Sequence, residues 1–283
     1  MLVAVFLMST MDVALKSLVA DYGSMQVVFF RCVMSMPVFL VWMLATDRSL
    51  FQTAYFGGHI VRGVLGLAML YCVGECFREM HLADAYAIFF AAPLLITLLS
   101  GPMLGEPAGM MRILAAIAGF MGVLIVLQPS GSGWISYGGV MGLLAVVFYT
   151  FSVILLRKLG AKDRTLTIAF WFVTLVGVGA GFSALPNWQP IEFQRDWHWL
   201  VLLGITGTLG QVLLTAAFRR ASVAIVAPFD YVHMIWAVLY GYWFWSYLPS
   251  SRTWIGAAVV VASGLFVLYR EHHASRQSQM VHL

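Results

Sequence analysis

Charge is what this chain has least of. Asp, Glu, Lys and Arg make up 10% of its 283 residues, against about 25% in soluble domains. So little charge cannot cover a water-facing surface, which excludes a soluble enzyme. Hydrophobic types reach 61% and aromatics 14%, which excludes a disordered chain. Cysteine is scarce too. Cys32, Cys72 and Cys76 all lie in apolar runs. Cys72 and Cys76 share a helix face, but no histidine or further sulfur stands near them in sequence, so they read as small buried hydrophobes rather than metal ligands. There is no G-x-x-x-x-G-K-[ST], no H-E-x-x-H and no G-x-S-x-G, so neither a nucleotide-driven pump nor a hydrolase of those types is expected. No cofactor and no metal is expected. No basic block with interleaved aromatics appears, so the net charge of +4 points to loop cations of a membrane protein and not to nucleic acid. The apolar N-terminus lacks a basic n-region and an A-x-A site, so it reads as a retained span rather than a signal peptide.

What is present is a series of apolar runs, with a mean hydropathy of +0.89. A span needs about 20 apolar residues. Polar punctuation places ten of them, at 2–18, 24–46, 57–76, 82–103, 110–128, 139–158, 165–184, 198–217, 222–246 and 253–270. With the N-terminus inside, eleven cations fall on the inner side, Arg48, Arg62 and Arg112 among them, and four (Lys16, Arg78, Arg195, Arg252) on the outer. Both termini are therefore expected in the cytoplasm, in a multi-pass protein of a cell inner membrane.

The sequence repeats weakly at an offset of 141: Leu15-Lys16 falls on Leu156-Arg157, Gly63 and Gly66 on Gly204 and Gly207, Phe77-Arg78 on Phe218-Arg219. Five spans per repeat is odd, so the halves must be inverted, a plan that recurs in secondary transporters with the substrate near the midplane. The expected organisation is an all-α integral membrane protein of ten transmembrane helices in two inverted five-helix repeats. The first repeat covers 1–128, a Gly/Ser linker 129–138, the second repeat 139–270 and a cytoplasmic tail 271–283.

Ionisable groups inside spans are costly and mark cavities or partners. Asp12 lies about 9 Å from the outer end of the first span and Arg31 about 10 Å into the second from the same face, with Lys16 one turn outward of Asp12. They read either as a structural pair, Asp12–Arg31 or Asp12–Lys16, or as a cationic patch for an anionic substrate group. In the ninth span Pro228-Phe229-Asp230-Tyr231 interrupts the helix, as is tolerated beside a cavity. Asp230 and His233 are three apart and share a face, suited to exchanging a proton or to a plain structural hydrogen bond. Gln211, Tyr231 and Trp236 are candidate substrate contacts, with Tyr240 a further aromatic able to stack on a ligand. Glu75 and Asp84 sit at the interface and read as gate, coupling or structural residues. The glycines of the third and eighth spans read as points of close helix approach.

Met11-Asp12-Val13-Ala14-Leu15-Lys16, Phe29-Phe30-Arg31, Leu82-Ala83-Asp84-Ala85, Ala92-Pro93-Leu94, Gly105-Glu106, Leu209-Gly210-Gln211, Ala227-Pro228-Phe229-Asp230-Tyr231, Gly256-Ala257-Ala258 and Ser263-Gly264, in that order over nearly the whole chain, resemble the EamA-type drug/metabolite transporters. The resemblance implies ten helices in two inverted repeats, a central cavity and alternating access. It does not fix the substrate, since related members move amino acids, S-adenosylmethionine, riboflavin, metallophores or drugs. Two positions depart from the pattern. Ser246-Tyr247 stands where Gly-Glu is frequent, and Glu75 where a tyrosine is frequent; the extra acid favours a cationic or zwitterionic ligand. The expected function is secondary transport of a small polar metabolite, such as an amino acid, an amino-acid derivative or a cofactor-like compound, by a monomer or homodimer in contact with membrane lipid. The rivals are a passive channel and an intramembrane enzyme acting on a lipid-linked substrate.

Overall fold

The structure is a computed structural model that describes residues 1–104, 110–127, 136–221 and 226–281; these contain helices and turns and no strand. In lipid a backbone must satisfy its polar groups within its own segment, which is why apolar runs of this length become helices. The helices are α1 (Leu2–Val19), α2 (Ser24–Thr46), α3 (Phe56–Glu79), α4 (Leu82–Phe89), α5 (Ala91–Leu104), α6 (Met110–Leu127), α7 (Tyr137–Gly160), α8 (Thr165–Ala184), α9 (Phe193–Arg220), α10 (His233–Trp245) and α11 (Ser251–Val281). Among the described residues six helical stretches are long and apolar enough to cross a membrane, namely α1, α2, α3, α7, Thr165–Asn187 and α9, and three shorter apolar helices accompany them.

The ten expected runs map onto these helices, with four differences. The fourth run breaks at Phe90 into α4 and α5, because Pro93 has no N–H to give and its ring crowds the carbonyl of Phe89. The ninth run opens with a 3-10 turn, Ala227–Val232, before α10 begins at His233. Residues 222–225 and 128–135 lie outside the described residues, the latter with most of the linker expected at 129–138, while 137–138 already belong to α7. Finally, α11 continues to Val281 through the stretch expected to be a polar tail; that stretch is rich in Glu, Arg, Gln, Ala and Met, which favour the helix. Arg62, counted above among the inner-side cations, is buried inside α3. The helix begins at Phe56, which carries position 62 about 9 Å inward.

The helices pair α1 with α9, α2 with α8, α3 with α7 and α6 with α11. Glycines at matching positions of α3 and α9 let neighbouring helices come close. A methyl at Gly204 would stand 2.5 Å from Cβ of Met34 and 3.1 Å from its backbone carbonyl, and one at Gly63 would stand 2.7 Å from Cβ of Leu175.

Each end of the bundle is tied by polar contacts. At one face the Tyr22 hydroxyl donates to Oδ2 of Asp196 (2.6 Å) and accepts from the Glu192 N–H (3.0 Å). Gln26 Nε2 donates to the carbonyl of Gln189 at 2.7 Å. At the other face Asp163 accepts from the Thr53 hydroxyl (2.6 Å) and the Ala54 N–H (3.0 Å), and Nε2 of His59 lies 2.8 Å from its Oδ2. Burial pushes the Asp163 carboxyl up, but these hydrogen bonds outweigh it and hold it below the usual carboxylate range. Cations close two helix ends. Lys16 Nζ donates to the carbonyls of Phe77 (2.6 Å) and Met80 (2.8 Å) at the end of α3. Arg157 Nη1 donates to those of Phe218 (3.1 Å) and Ala221 (2.8 Å) at the end of α9. Both satisfy carbonyls that a helix C-terminus leaves without a partner.

Candidate functional site

The two interrupted spans meet at a central cavity of about 160 Å³. Phe89, Phe90 and Ala92, around the break between α4 and α5, line it, as do Asp230 and His233, at the break before α10. Met8, Met11 and Asp12 come from α1, Arg31 from α2, Met69 from α3, Tyr149 from α7 and Gln211 from α9. The lining is apolar apart from a few convergent polar groups, which is the pattern of a small-molecule site. Sites for drug-sized ligands span roughly 300–1,000 Å³, so in this conformation the cavity is contracted.

Five of the residues singled out in the sequence therefore converge: Asp12, Arg31, Gln211, Asp230 and His233. Their pairing differs from the pairs that spacing offered. Among the described residues no carboxylate stands within ion-pair distance of Arg31. Its Nη2 donates to Oε1 of Gln211 at 3.3 Å, and it is 4% exposed. Asp12 accepts instead from the Tyr86 hydroxyl. Asp230 accepts from the Tyr149 hydroxyl at 3.1 Å, and its Oδ1 has no partner. His233 does not bond Asp230. Its Nδ1 lies 2.6 Å from the Ser9 hydroxyl, and its ring stacks on Tyr86 with centroids 4.9 Å apart. The cavity thus holds two carboxyl groups, each accepting from a phenol, and a guanidinium that donates to an amide, and none of these contacts is an ion pair.

The other candidates lie elsewhere. Lys16 is occupied at the end of α3. Trp236 packs edge-on against Phe6 (4.8 Å) and stacks on Tyr240 (6.0 Å). Tyr231 meets Phe90 edge-on at 5.2 Å, and its buried hydroxyl has no partner. Glu75 accepts from the Ser24 hydroxyl at 2.6 Å and pairs with Arg78 at 3.4 Å. It lines a separate lateral hollow of about 800 Å³ beside Asp21, Tyr71 and Asn187. Asp84 accepts from the Tyr247 and Thr253 hydroxyls, both at 2.6 Å, and so fastens α4 to the start of α11. Sequence reasoning missed Tyr86, Tyr149 and the methionines. A tyrosine or methionine in an apolar run reads as packing, and only the fold supplies the carboxylates that the two phenols meet.

Residues 1–128 and 136–269 match the EamA-like transporter family. A pseudopaline exporter of Pseudomonas aeruginosa is 29% identical over 92% of this chain and 91% of its own length. A riboflavin transporter of Vibrio cholerae is 27% identical over 95% and 93%. A solved crystal structure superimposes with a TM-score of 0.68 over 93% of this chain and 92% of its own, at 17% identity, a likeness of fold alone. The relatives are transporters and not enzymes. With the match running through both stretches of helices, the chain belongs to the EamA-like transporter family.

Proposed function

We propose that this protein is a secondary transporter that moves a small zwitterionic metabolite across a bacterial inner membrane by alternating access. The carrying observation is the cavity itself, which Arg31 and Gln211 line together with Asp12 and Asp230. An anionic group of the substrate docks on Arg31, whose planar fork suits carboxylate and phosphate. A cationic group docks on the two carboxylates. The contracted volume fits a resting or occluded state that must open for a ligand to enter. That the named relatives are a pseudopaline exporter and a riboflavin transporter supports a small-molecule metabolite as the substrate.

The fold supports an inverted repeat over 1–128 and 139–270. Exchanging the first five spans for the last five converts the α1–α9 pair into the α7–α3 pair and leaves α2–α8 and α6–α11 unchanged, so the observed pairing survives the exchange. The helix-end caps agree, since Lys16, Phe77 and Met80 lie 141 positions before Arg157, Phe218 and Ala221. In this reading the Tyr22 face is outer, the Asp163 face and both termini are cytoplasmic, and Asp230 and His233 carry the coupling proton.

The test is a metabolite-library thermal-shift screen on purified protein, since a ligand of the native state raises its stability, followed by counterflow in proteoliposomes. Saturable counterflow of a hit supports a carrier; flux without counterflow means a channel. A reporter fused after Gly133 should lie outside and one after Lys162 inside, and finding both on one side would reject the inverted repeat.

A further inference from the structure

Arg62 is a buried guanidinium that no site described above uses. It is 3% exposed. Nη1 donates to the carbonyl of Ile168 at 3.3 Å, the guanidinium lies 4.2 Å over the ring of Phe172, and Nε has no partner. Among the described residues no carboxylate is within ion-pair distance of it. An arginine at such depth costs roughly 2.5–3.5 kcal/mol on insertion scales, and one carbonyl and one ring face are thin compensation. Its position is not random. Arg62, Gly66, Met69, Leu70 and Val73 fall on one stripe of α3, and the last three of them line the cavity. Arg62 is the continuation of that stripe, about 10 Å closer to the Asp163 face than Met69.

The repeat adds a second, independent argument. The guanidinium of Arg31 lies against Gly207, its Nε 3.4 Å from where a Cβ would stand, while the ring of Phe172 lies against Gly66. Gly66 and Arg31 each precede their counterparts, Gly207 and Phe172, by 141. The place that corresponds to Arg31 is therefore occupied by Phe172 with the guanidinium of Arg62 stacked on it. Arg31 lies about 10 Å from the outer end of its helix and Arg62 about 9 Å from the inner end of its own. In a core of about 30 Å they flank the midplane.

We propose that Arg62 is a second anchor for the anionic group of the substrate, a carboxylate or phosphate, on the cytoplasmic half of the path. The group exchanges between Arg31 and Arg62 as the cavity opens to one side or the other. One turn further toward the cytoplasm, the cluster of His59, Asp163, Thr53 and Ala54 closes that half in the present conformation. The proposal rests on the transporter reading and its orientation, so its test must separate the two.

The test is labelling of the unaltered protein in membrane vesicles with a sulfonated, membrane-impermeant phenylglyoxal, read arginine by arginine by mass spectrometry, with benzoate or inorganic phosphate as probe anions and chloride as the ionic-strength control. Arg62 should react several-fold faster in inside-out than in right-side-out vesicles, and at least one probe anion should slow it while leaving Arg157 unaffected. Arg31 should show the opposite sidedness. If Arg31 reacts and Arg62 does not, or if Arg62 reacts without sidedness or without protection by either anion, the second anchor is overturned and the central cavity stands. If neither reacts while Arg157 does, the transport path through this cavity falls together with the anchor.

Discussion

Lys16 and Arg157, 141 residues apart, perform the same task at opposite ends of the bundle, each closing the carbonyl end of a helix. Arg31 and its counterpart Phe172 share a place against a glycine and nothing else. The same division runs through the rest of the molecule. Gly63 and Gly204 each admit the Cβ of the residue at the matching position, Leu175 and Met34. By contrast Asp12, Gln211, Asp230 and His233, which line the cavity, have Val153, Leu70, Phe89 and Ala92 at the matching positions. What the two proposed repeats hold in common is scaffold, and what only one of them holds is the site. This gives a rule that mutation can break. Altering a shared residue should cost stability and leave ligand affinity alone; altering an unshared polar residue should do the reverse.

The largest effect is expected at Arg31. Removing one partner of a buried charged contact costs roughly 2–5 kcal/mol of binding, or about 30- to 4,000-fold in affinity at 1.4 kcal/mol per tenfold. Arg31→Ala should abolish transport in proteoliposomes and Arg31→Lys should retain part of it. If Arg31 serves folding alone, Arg31→Ala will lower the yield of folded protein, and adding Asp12→Ala will restore both yield and transport. Normal ligand affinity in that double variant would end the anchor role and the rule with it.

Next comes Gly204. A methyl there would stand 3.1 Å from the Met34 backbone, which cannot rotate away as a side chain can. Overpacking of this kind costs about 1–3 kcal/mol. Gly204→Ala should lower the thermal midpoint more than Gly63→Ala, whose nearest neighbour is the Leu175 side chain. Equal losses would mean that α2 shifts freely against α9. Of similar size is the paired cap. Lys16→Met and Arg157→Met each strip hydrogen bonds from part-buried carbonyls, at about 1–3 kcal/mol. Both should destabilise by similar amounts, with ligand affinity unchanged in each. A loss of affinity in Lys16→Met alone would return Lys16 to the substrate path.

The sequence carried the scaffold well because lipid imposes long apolar runs with polar ends, and each of the ten runs is present as helix. It carried the site by depth alone. Asp12, Arg31, Gln211, Asp230 and His233 are visible as polar groups in apolar runs, but their partners are not. Tyr86 and Tyr149 meet their carboxylates 74 and 81 positions away, and Lys16 finds backbone carbonyls, which have no sequence signature. Arg62 was hidden differently. It lies six residues from the start of α3, and charge counting takes it as an inner-flank cation of the span at 57–76 without asking what it meets.

The smallest effect falls on a position where the two proposed repeats differ in sequence and where Ser246 is not part of the cavity lining. Ser246 ends α10 at φ 50, the left-handed region, and is the one non-glycine residue with positive φ among those described. The matching position, 141 earlier, is Gly105. A side chain in that region costs roughly 1–2 kcal/mol, and glycine avoids it at the expense of a looser unfolded chain worth about 0.4–1 kcal/mol. Ser246→Gly should therefore raise the thermal midpoint, by between nothing and about 1.6 kcal/mol on these figures. Ser246→Val, β-branched, should lower it. The turn is held by the Tyr247 N–H on the Gly241 carbonyl (3.1 Å) and by the Tyr247 hydroxyl on Asp84 (2.6 Å), and neither contact uses the serine side chain. Both variants should therefore transport normally. A transport defect in Ser246→Gly, with stability raised, would mean that this turn moves during the cycle and that an unshared residue outside the cavity can still belong to the mechanism.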